Sequence, residues 1–331
     1  MRYRRSPRLV AVCILGKCVS QTPSNPTRLK FMRTIIDQII EQPRWRPLDA
    51  VIFPGSYIRL TRLIGHHSDA ERIWALGREP FAKSLTIIAT RLDRYSRRAL
   101  LIFGGDASDS KRCERGDQTC IAIGRMGIVG LARKIFPANG DTTHCWSPYV
   151  PNLNDYDSAS RIVTLASGHR ALLCACYDMF ALAPGRDGDP RGSPSIRDLW
   201  IDGAYHRIEE VGFAELRRNA ISRWDKFRQT NRIDLAISAI HGFRKPGRDV
   251  YWQRHGLTAA SAGLGGGLAI GAAHFNEQLP APHKSTLAAS GVPKSEATKG
   301  FHRHSYSLEP IDHMTVSSGQ LKALVRLYSP G

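Results

Sequence analysis

Acidic residues are scarce in this sequence, and so is lysine. Twenty-nine Asp and Glu stand against 47 Lys and Arg, a formal net charge of +18, and only 11 of those cations are Lys. The positive charge is therefore mostly guanidinium, a field that attracts nucleic acid, anionic lipid or acidic substrates but names no chemistry. Long apolar runs are missing too. The run from Leu9 to Gly16, behind Arg2, Arg4 and Arg5, is far too short for a bilayer, and Lys17 interrupts it with no small-residue cleavage site behind. It reads as a buried first strand, and the protein is expected in the cytoplasm, away from membranes. No Cys-x-x-Cys pair occurs. The seven cysteines, at 13, 18, 113, 120, 145, 174 and 176, are odd in number and scattered, which fits free thiols in a reducing compartment and not a secreted disulfide framework. Cys113, Cys120, His144, Cys145, Cys174 and Cys176 lack the spacing of zinc ligands, so neither metal nor cofactor is expected. Internal repeats and low-complexity blocks are absent.

What is present is enough for a substantial core: 331 residues, 42% of them hydrophobic. Strand and helix patterns alternate. Leu9–Leu15 has strand length, and Leu29, Met32, Ile35, Ile36, Ile39 and Ile40 repeat at helical spacing after an Asn25-Pro26-Thr27 entry. Asp49–Phe53 predicts a second strand stopped by Pro54-Gly55, Phe81–Leu100 a helix, and Ala99–Phe103 a third strand ending at Gly104-Gly105. Hairpins are expected over Thr119–Ile135 and Ile162–Tyr177, a helix over Phe213–Phe227, and strands at Leu235–Ile240 and Leu268–Phe275. This order predicts an α/β layered sandwich in one domain. Residues 1–7 form a basic lead, 8–293 the domain, and 294–331, weakly periodic, a wrapping or partly disordered tail.

The segment Leu172-Leu173-Cys174-Ala175-Cys176-Tyr177-Asp178-Met179-Phe180 places a cysteine where a buried strand ends and the chain turns out. An α/β fold presents nucleophiles there, and a thiolate needs a neighbouring cation or base. Lys134, closing the apolar strand before Phe136-Pro137, is the candidate cation. Buried cysteine is also a common small hydrophobe, and from the residues alone both roles stay open.

The order of these pieces resembles the carbon–nitrogen hydrolase (nitrilase) superfamily. The resemblance is carried by Val51-Ile52-Phe53-Pro54-Gly55, by Gly130-Leu131-Ala132-Arg133-Lys134-Ile135-Phe136-Pro137, by Cys176-Tyr177-Asp178-Met179-Phe180 and by Leu101–Gly105. It implies an αββα four-layer sandwich and a homodimer or higher homo-oligomer. It also implies attack by Cys176 on an amide, carbamoyl compound or nitrile, through a thioester or thioimidate. By the same resemblance Lys134 stabilises the oxyanion, Asp141 orients Lys134, the Tyr177 backbone N–H helps cradle the oxyanion, and His241 and Phe243 contact substrate.

One departure stands out: where the family carries its general-base Glu, this sequence has Gly55. Asp69 and Glu71, farther along the chain, are conceivable substitutes, and restoring Glu at 55 is expected to raise amide hydrolysis. Two further readings stay open. One is a catalytically dead relative kept as a binding or assembly partner. The other is a basic nucleic-acid-binding protein, for which the arginines around Trp224 and Phe227 are the one hint. Gly263–Gly267 does not complete a phosphate-binding loop, and His274 reads as a core or edge residue.

Overall fold

A computed structural model describes residues 4–15, 23–60, 68–107, 117–134, 158–182, 226–227, 229–243, 248–275, 289–293, 295 and 306–330. The strands are β1 (Leu9–Leu15), β2 (Ala50–Ile52), β3 (Ile58–Arg59), β4 (Leu100–Ala107), β5 (Asp117–Gly124), β6 (Gly127–Arg133), β7 (Ile162–Thr164), β8 (Arg170–Ala175), β9 (Leu235–Phe243), β10 (Leu268–Phe275), β11 (Ala289–Ser290), β12 (Asp312–Ser318) and β13 (Leu321–Tyr328). The helices that matter below are α1 (Asn25–Ile40), α2 (Asp69–Gly77) and α3 (Ala82–Tyr95), and a late stretch made of α4 (Arg248–Trp252), a π-helical segment (Gln253–Thr258) and α5 (Ala259–Gly263).

The strands pair into one thirteen-stranded sheet that folds over at β1 into two halves. The first sheet runs β12-β13-β1-β2-β4-β5-β6 with β3 on β4, and the second β11-β10-β9-β8-β7. They are joined along β1, which pairs in parallel with β2 over Leu9–Ala11 and then with β10 at Ile14 and Leu15. Alternation along each strand sorts side chains into layers, because successive residues point to opposite faces. Leu9, Ala11, Ala50, Ile52, Leu100, Ile102, Cys120 and Ala122 of the first sheet pack against Ala171, Leu173, Ala175, Leu235, Ile237, Ala239 and Ile270 of the second. The residues between them, Val10, Val12, Val51, Leu101, Phe103, Ile121 and Ile123, face outward onto α1 and α3. On the far side Leu172, Cys174, Ala236 and Ala269 meet Trp252, Leu257 and Ala260 of the late helical stretch. Three buried interfaces make four layers, the expected αββα arrangement.

The helices follow from their patterns. Pro26 sits at the start of α1, where its missing N–H is harmless, and Leu29, Met32, Ile35, Ile36 and Ile39 bury one face. Ser68 and Glu71 close a capping box on α2. The basic lead is tied down: Arg4 reaches Asp234 at 3.1 Å and Arg5 reaches the buried Asp49 at 2.7 Å. Among the described residues no helix is long and apolar enough to cross a membrane.

Three expectations fail. The helix expected to run to Leu100 ends at Tyr95, and the strand expected to stop at Gly104-Gly105 runs on to Ala107. The C-terminal segment is no mere tail: β12 and β13 form a hairpin whose inner strand pairs antiparallel with all of β1. Trp45 and Arg44 fasten it by bonds to Asp312 at 2.6 and 2.9 Å. The expected helix at 213–227 lies almost wholly outside the described residues.

Candidate active site

The parallel strands β2, β4, β8, β9 and β10 deliver their carboxyl ends to one edge of the sandwich, the side on which such folds carry their chemistry. Cys176 stands there, one residue past β8. Its φ of +51° lies in the left-handed region, which a residue with a side chain occupies only under constraint, at about 1–3 kcal/mol. The chain then turns into a short 3-10 segment, Cys176–Leu182.

A buried ion pair supplies the constraint. Arg161 and Asp178 are 1% and 0% exposed, and their Nη1 and Oδ2 lie 3.2 Å apart. The Asp178 carboxylate also accepts the Ala175 N–H at 3.4 Å, and Arg161 donates to the Arg133 carbonyl. The elbow is thus locked to the strand whose next residue is Lys134. The Tyr177 ring stacks on Phe180 at 4.7 Å and meets Trp252 edge-on at 5.5 Å, with the Lys134 ammonium 5.9 Å from its centre.

Lys134 is buried, and its ammonium donates to Gln118 Oε1 at 2.7 Å while its backbone N–H donates to the Gln118 carbonyl at 2.7 Å. A buried cation favours an anion nearby. The thiols register this. Burial pushes Cys13 up, Cys120 up to about 12 and Cys174 well above the ordinary range. Cys176 is also driven up by burial, but the Lys134 charge, the His241 ring and the His241 backbone N–H outweigh that and bring it below its ordinary value.

His241, on β9, is tied more closely to this site than a substrate contact need be. Its Nε2 lies 3.0 Å from both carboxylate oxygens of Asp106. Burial disfavours the charged ring, yet Asp106 and the Cys176 sulfur together raise it from 6.5 to about 10. Among the described residues Nδ1 is buried and makes no hydrogen bond, so ring and thiol are neighbours short of a formed bond. Resting active sites are often loose in this way. Asp106 also accepts the Ser56 hydroxyl. By contrast His274, half-buried and stacked on Tyr57 at 6.3 Å, is pulled down to about 3 by desolvation and then by the Arg28 charge.

Position 55 has no room for a side chain. A Cβ on Gly55 would lie 2.9 Å from the Ala239 carbonyl oxygen, 2.9 Å from the His241 backbone nitrogen and 2.9 Å from His241 Nδ1. The turn is held in place: Gly55 N–H donates to the Ile240 carbonyl at 2.9 Å, and Arg28 donates to the Ser56 and Tyr57 carbonyls at 2.6 and 2.7 Å. The expected gain from Glu at 55 is therefore reversed by the geometry. Asp69 and Glu71 are no substitutes, being engaged at the N-terminus of α2 with Arg72, Ser158 and Ser68.

The structure thus brings together Cys176, Lys134 and His241 of the residues singled out from sequence. Asp141 lies outside the described residues, and so does the Phe243 side chain at the end of β9. Sequence reasoning missed Asp106, Gln118 and Ser56. The signal for Asp106 was its place directly behind Gly104-Gly105. Two apolar clefts of about 530 and 580 Å3 open in the α2–α3 and α1–α3 region, and none of these cluster residues lines them.

No family model matches the chain, and no curated protein matches it. Solved structures do. The chain is similar to a mutant of the Nesterenkonia AN1 amidase from the nitrilase superfamily (10% identity over 97% of this chain and 91% of that one, TM-score 0.44). It is similar to a carbon–nitrogen hydrolase from Helicobacter pylori G27 (12%, 97% and 88%, TM-score 0.44). It is also similar to Saccharomyces cerevisiae Nit3, a member of branch 10 of the nitrilase superfamily (12%, 98% and 91%, TM-score 0.46). These identities are too low to carry any residue's role across. Over nearly its whole length the chain is similar in structure to members of the nitrilase superfamily.

Proposed function

We propose that the protein hydrolyses a non-peptide C–N bond in an amide, carbamoyl compound or nitrile, with Cys176 as nucleophile and Lys134 as the cation that stabilises the developing negative charge. The observation that carries this reading is the buried thiol in a left-handed elbow beside a buried ammonium, while Cys13, Cys120 and Cys174 are driven toward inert thiols. Such a thiolate is both nucleophile and leaving group, and a fixed positive charge near an oxyanion stabilises it most in a water-poor site. The step yields a thioester from an amide, or a thioimidate from a nitrile.

The test is the pH dependence of iodoacetamide alkylation, read on each cysteine peptide. Cys176 is expected to react fast at a pH where the other thiols stay protonated. Lys134→Ala is expected to move its midpoint upward, because a cation that favoured the thiolate is gone, and to slow turnover of a responsive amide about 100- to 1,000-fold. Alkylation of Cys176 indistinguishable from the other six would refute the nucleophile.

A further inference from the structure

We propose that His241, oriented by Asp106, is the general acid and base of this site, occupying the space that a catalytic side chain at position 55 would need. The inference rests on the reading of Cys176 as nucleophile and supplies what that reading lacks, a group able to move protons.

Three observations converge. His241 Nδ1 lies 2.9 Å from where a Cβ on residue 55 would stand, so the imidazole and a side chain at 55 exclude one another. Nε2 is fixed at 3.0 Å from both oxygens of Asp106, which sets the ring's orientation and leaves Nδ1 as the nitrogen available to thiol, leaving group or water. Nδ1 is buried and unbonded among the described residues, an arrangement that is costly for a polar atom and is explained here by a partner that arrives with the substrate. Asp106 is held in turn by the Ser56 hydroxyl, and Ser56 by Arg28. The groups facing the ring are Asp106 from β4, Cys176 at the elbow and His274 from β10, with Arg28 acting on His274 and Asp106 and with Lys134 acting on the same sulfur.

The proton count closes. The Cys176 thiolate attacks the amide carbon, a C–S bond forms, and the carbonyl electron pair moves onto oxygen beside Lys134. The tetrahedral adduct collapses, the C–N bond breaks, and protonated His241 gives its proton to the departing nitrogen. Neutral His241 then takes a proton from water as that oxygen attacks the thioester. The C–S bond breaks, and thiolate and imidazolium are restored. Asp106 is a positioning residue: it holds the ring and favours its charged form without touching the reacting atoms.

p-Nitrophenyl acetate separates the two half-reactions, because its leaving group needs no proton. Intact mass and peptide mapping on the full chain follow the acetyl group on Cys176. The wild type is expected to gain and then clear it. His241→Gln is expected still to acetylate but to clear it about 100- to 10,000-fold more slowly. Added imidazole is expected to recover part of the clearance in His241→Ala. In Asp106→Asn the pH limb of clearance is expected to move down, since the carboxylate that favoured the imidazolium is gone. Wild-type clearance in His241→Gln would overturn the base. Should these variants fail to fold, the wild type decides, because clearance that climbs with hydroxide and shows no titrating limb overturns it equally. If wild-type Cys176 is never acetylated, the nucleophile reading has failed, and that failure shows before any His241 variant is made.

Discussion

Gly55→Glu is expected to remove activity, although it writes the carboxylate of the resembling family back into the sequence. The obstacle is the first carbon of the new side chain. Its three contacts at 2.9 Å are two β9 backbone atoms, the Ala239 oxygen and the His241 nitrogen, and the His241 ring. Only the ring can swing aside, and doing so breaks its bonds to Asp106. The two backbone atoms belong to β9, which pairs with β10 up to Ala239 and again from Gly242 on either side of an irregularity at Ile240–His241, so they move only if the strand shifts there. Gly104 tightens the same spot, since a Cβ on it would lie 2.3 Å from the Gly55 Cα. Overpacking of this kind costs about 1–3 kcal/mol and sometimes more. Loss of the proton-transfer group slows turnover by about 100-fold or more. Gly55→Ala carries the same Cβ without the carboxylate, so both variants are expected to lose stability and turnover together. Thermal melts and single-turnover hydrolysis of a responsive amide check this. Higher activity in Gly55→Glu than in Gly55→Ala would mean that the carboxylate itself can serve, and that the turn at 54–57 accommodates it.

The same crowding explains what the sequence could and could not reveal. β1, α1, the two hairpins and β10 were legible because apolar spacing at period two or 3.6 reflects burial directly. Cys176 was legible because it follows an unbroken buried run, and Lys134 because a charge ends one. Asp106 was not, because Gly104-Gly105 reads as a strand stop. Here the pair lies inside β4 and serves close contact, with Gly104 against the Gly55 backbone and Gly105 against Thr119 and Ile121. Such close approach is a tertiary fact that no local pattern records. β12 and β13 were missed for a related reason. β12 is half exposed and largely polar, and Arg326 breaks the apolar run of β13 although it is fully buried. Arg161 and Asp178 look like surface charges in sequence and become a pair only through the fold.

That pair gives the second large effect. Asp178→Ala is expected to cost about 3–5 kcal/mol, because it removes the carboxylate 3.2 Å from an Arg161 guanidinium that is 1% exposed. The loss is expected to reach the thiol as well. Asp178 bonds the Ala175 N–H and Arg161 bonds the Arg133 carbonyl, so the pair holds the residue before Cys176 and the residue before Lys134. Without it the left-handed elbow is held less firmly, by the Ser238 hydroxyl on the Cys176 carbonyl at 3.4 Å and by packing. A residue at φ +51° then tends to relax toward an unstrained conformation. The thiol then leaves Lys134 and His241, and its alkylation midpoint rises toward that of an ordinary cysteine. Stability and reactivity are separable here. In the double variant Arg161→Met with Asp178→Leu, no uncompensated charge remains, and replacing a buried ion pair by apolar groups is often near neutral. Most of the lost stability is therefore expected back, measured as the urea midpoint at an unchanged m-value. The rapid alkylation of Cys176 is not, because neither new side chain can bond the Ala175 N–H or the Arg133 carbonyl. If the double variant recovered both, the elbow would owe its shape to packing alone, with Met179 and Phe180 beneath it. If it recovered neither, the ion pair would be indispensable to the fold, and its link to the thiol a consequence of general unfolding.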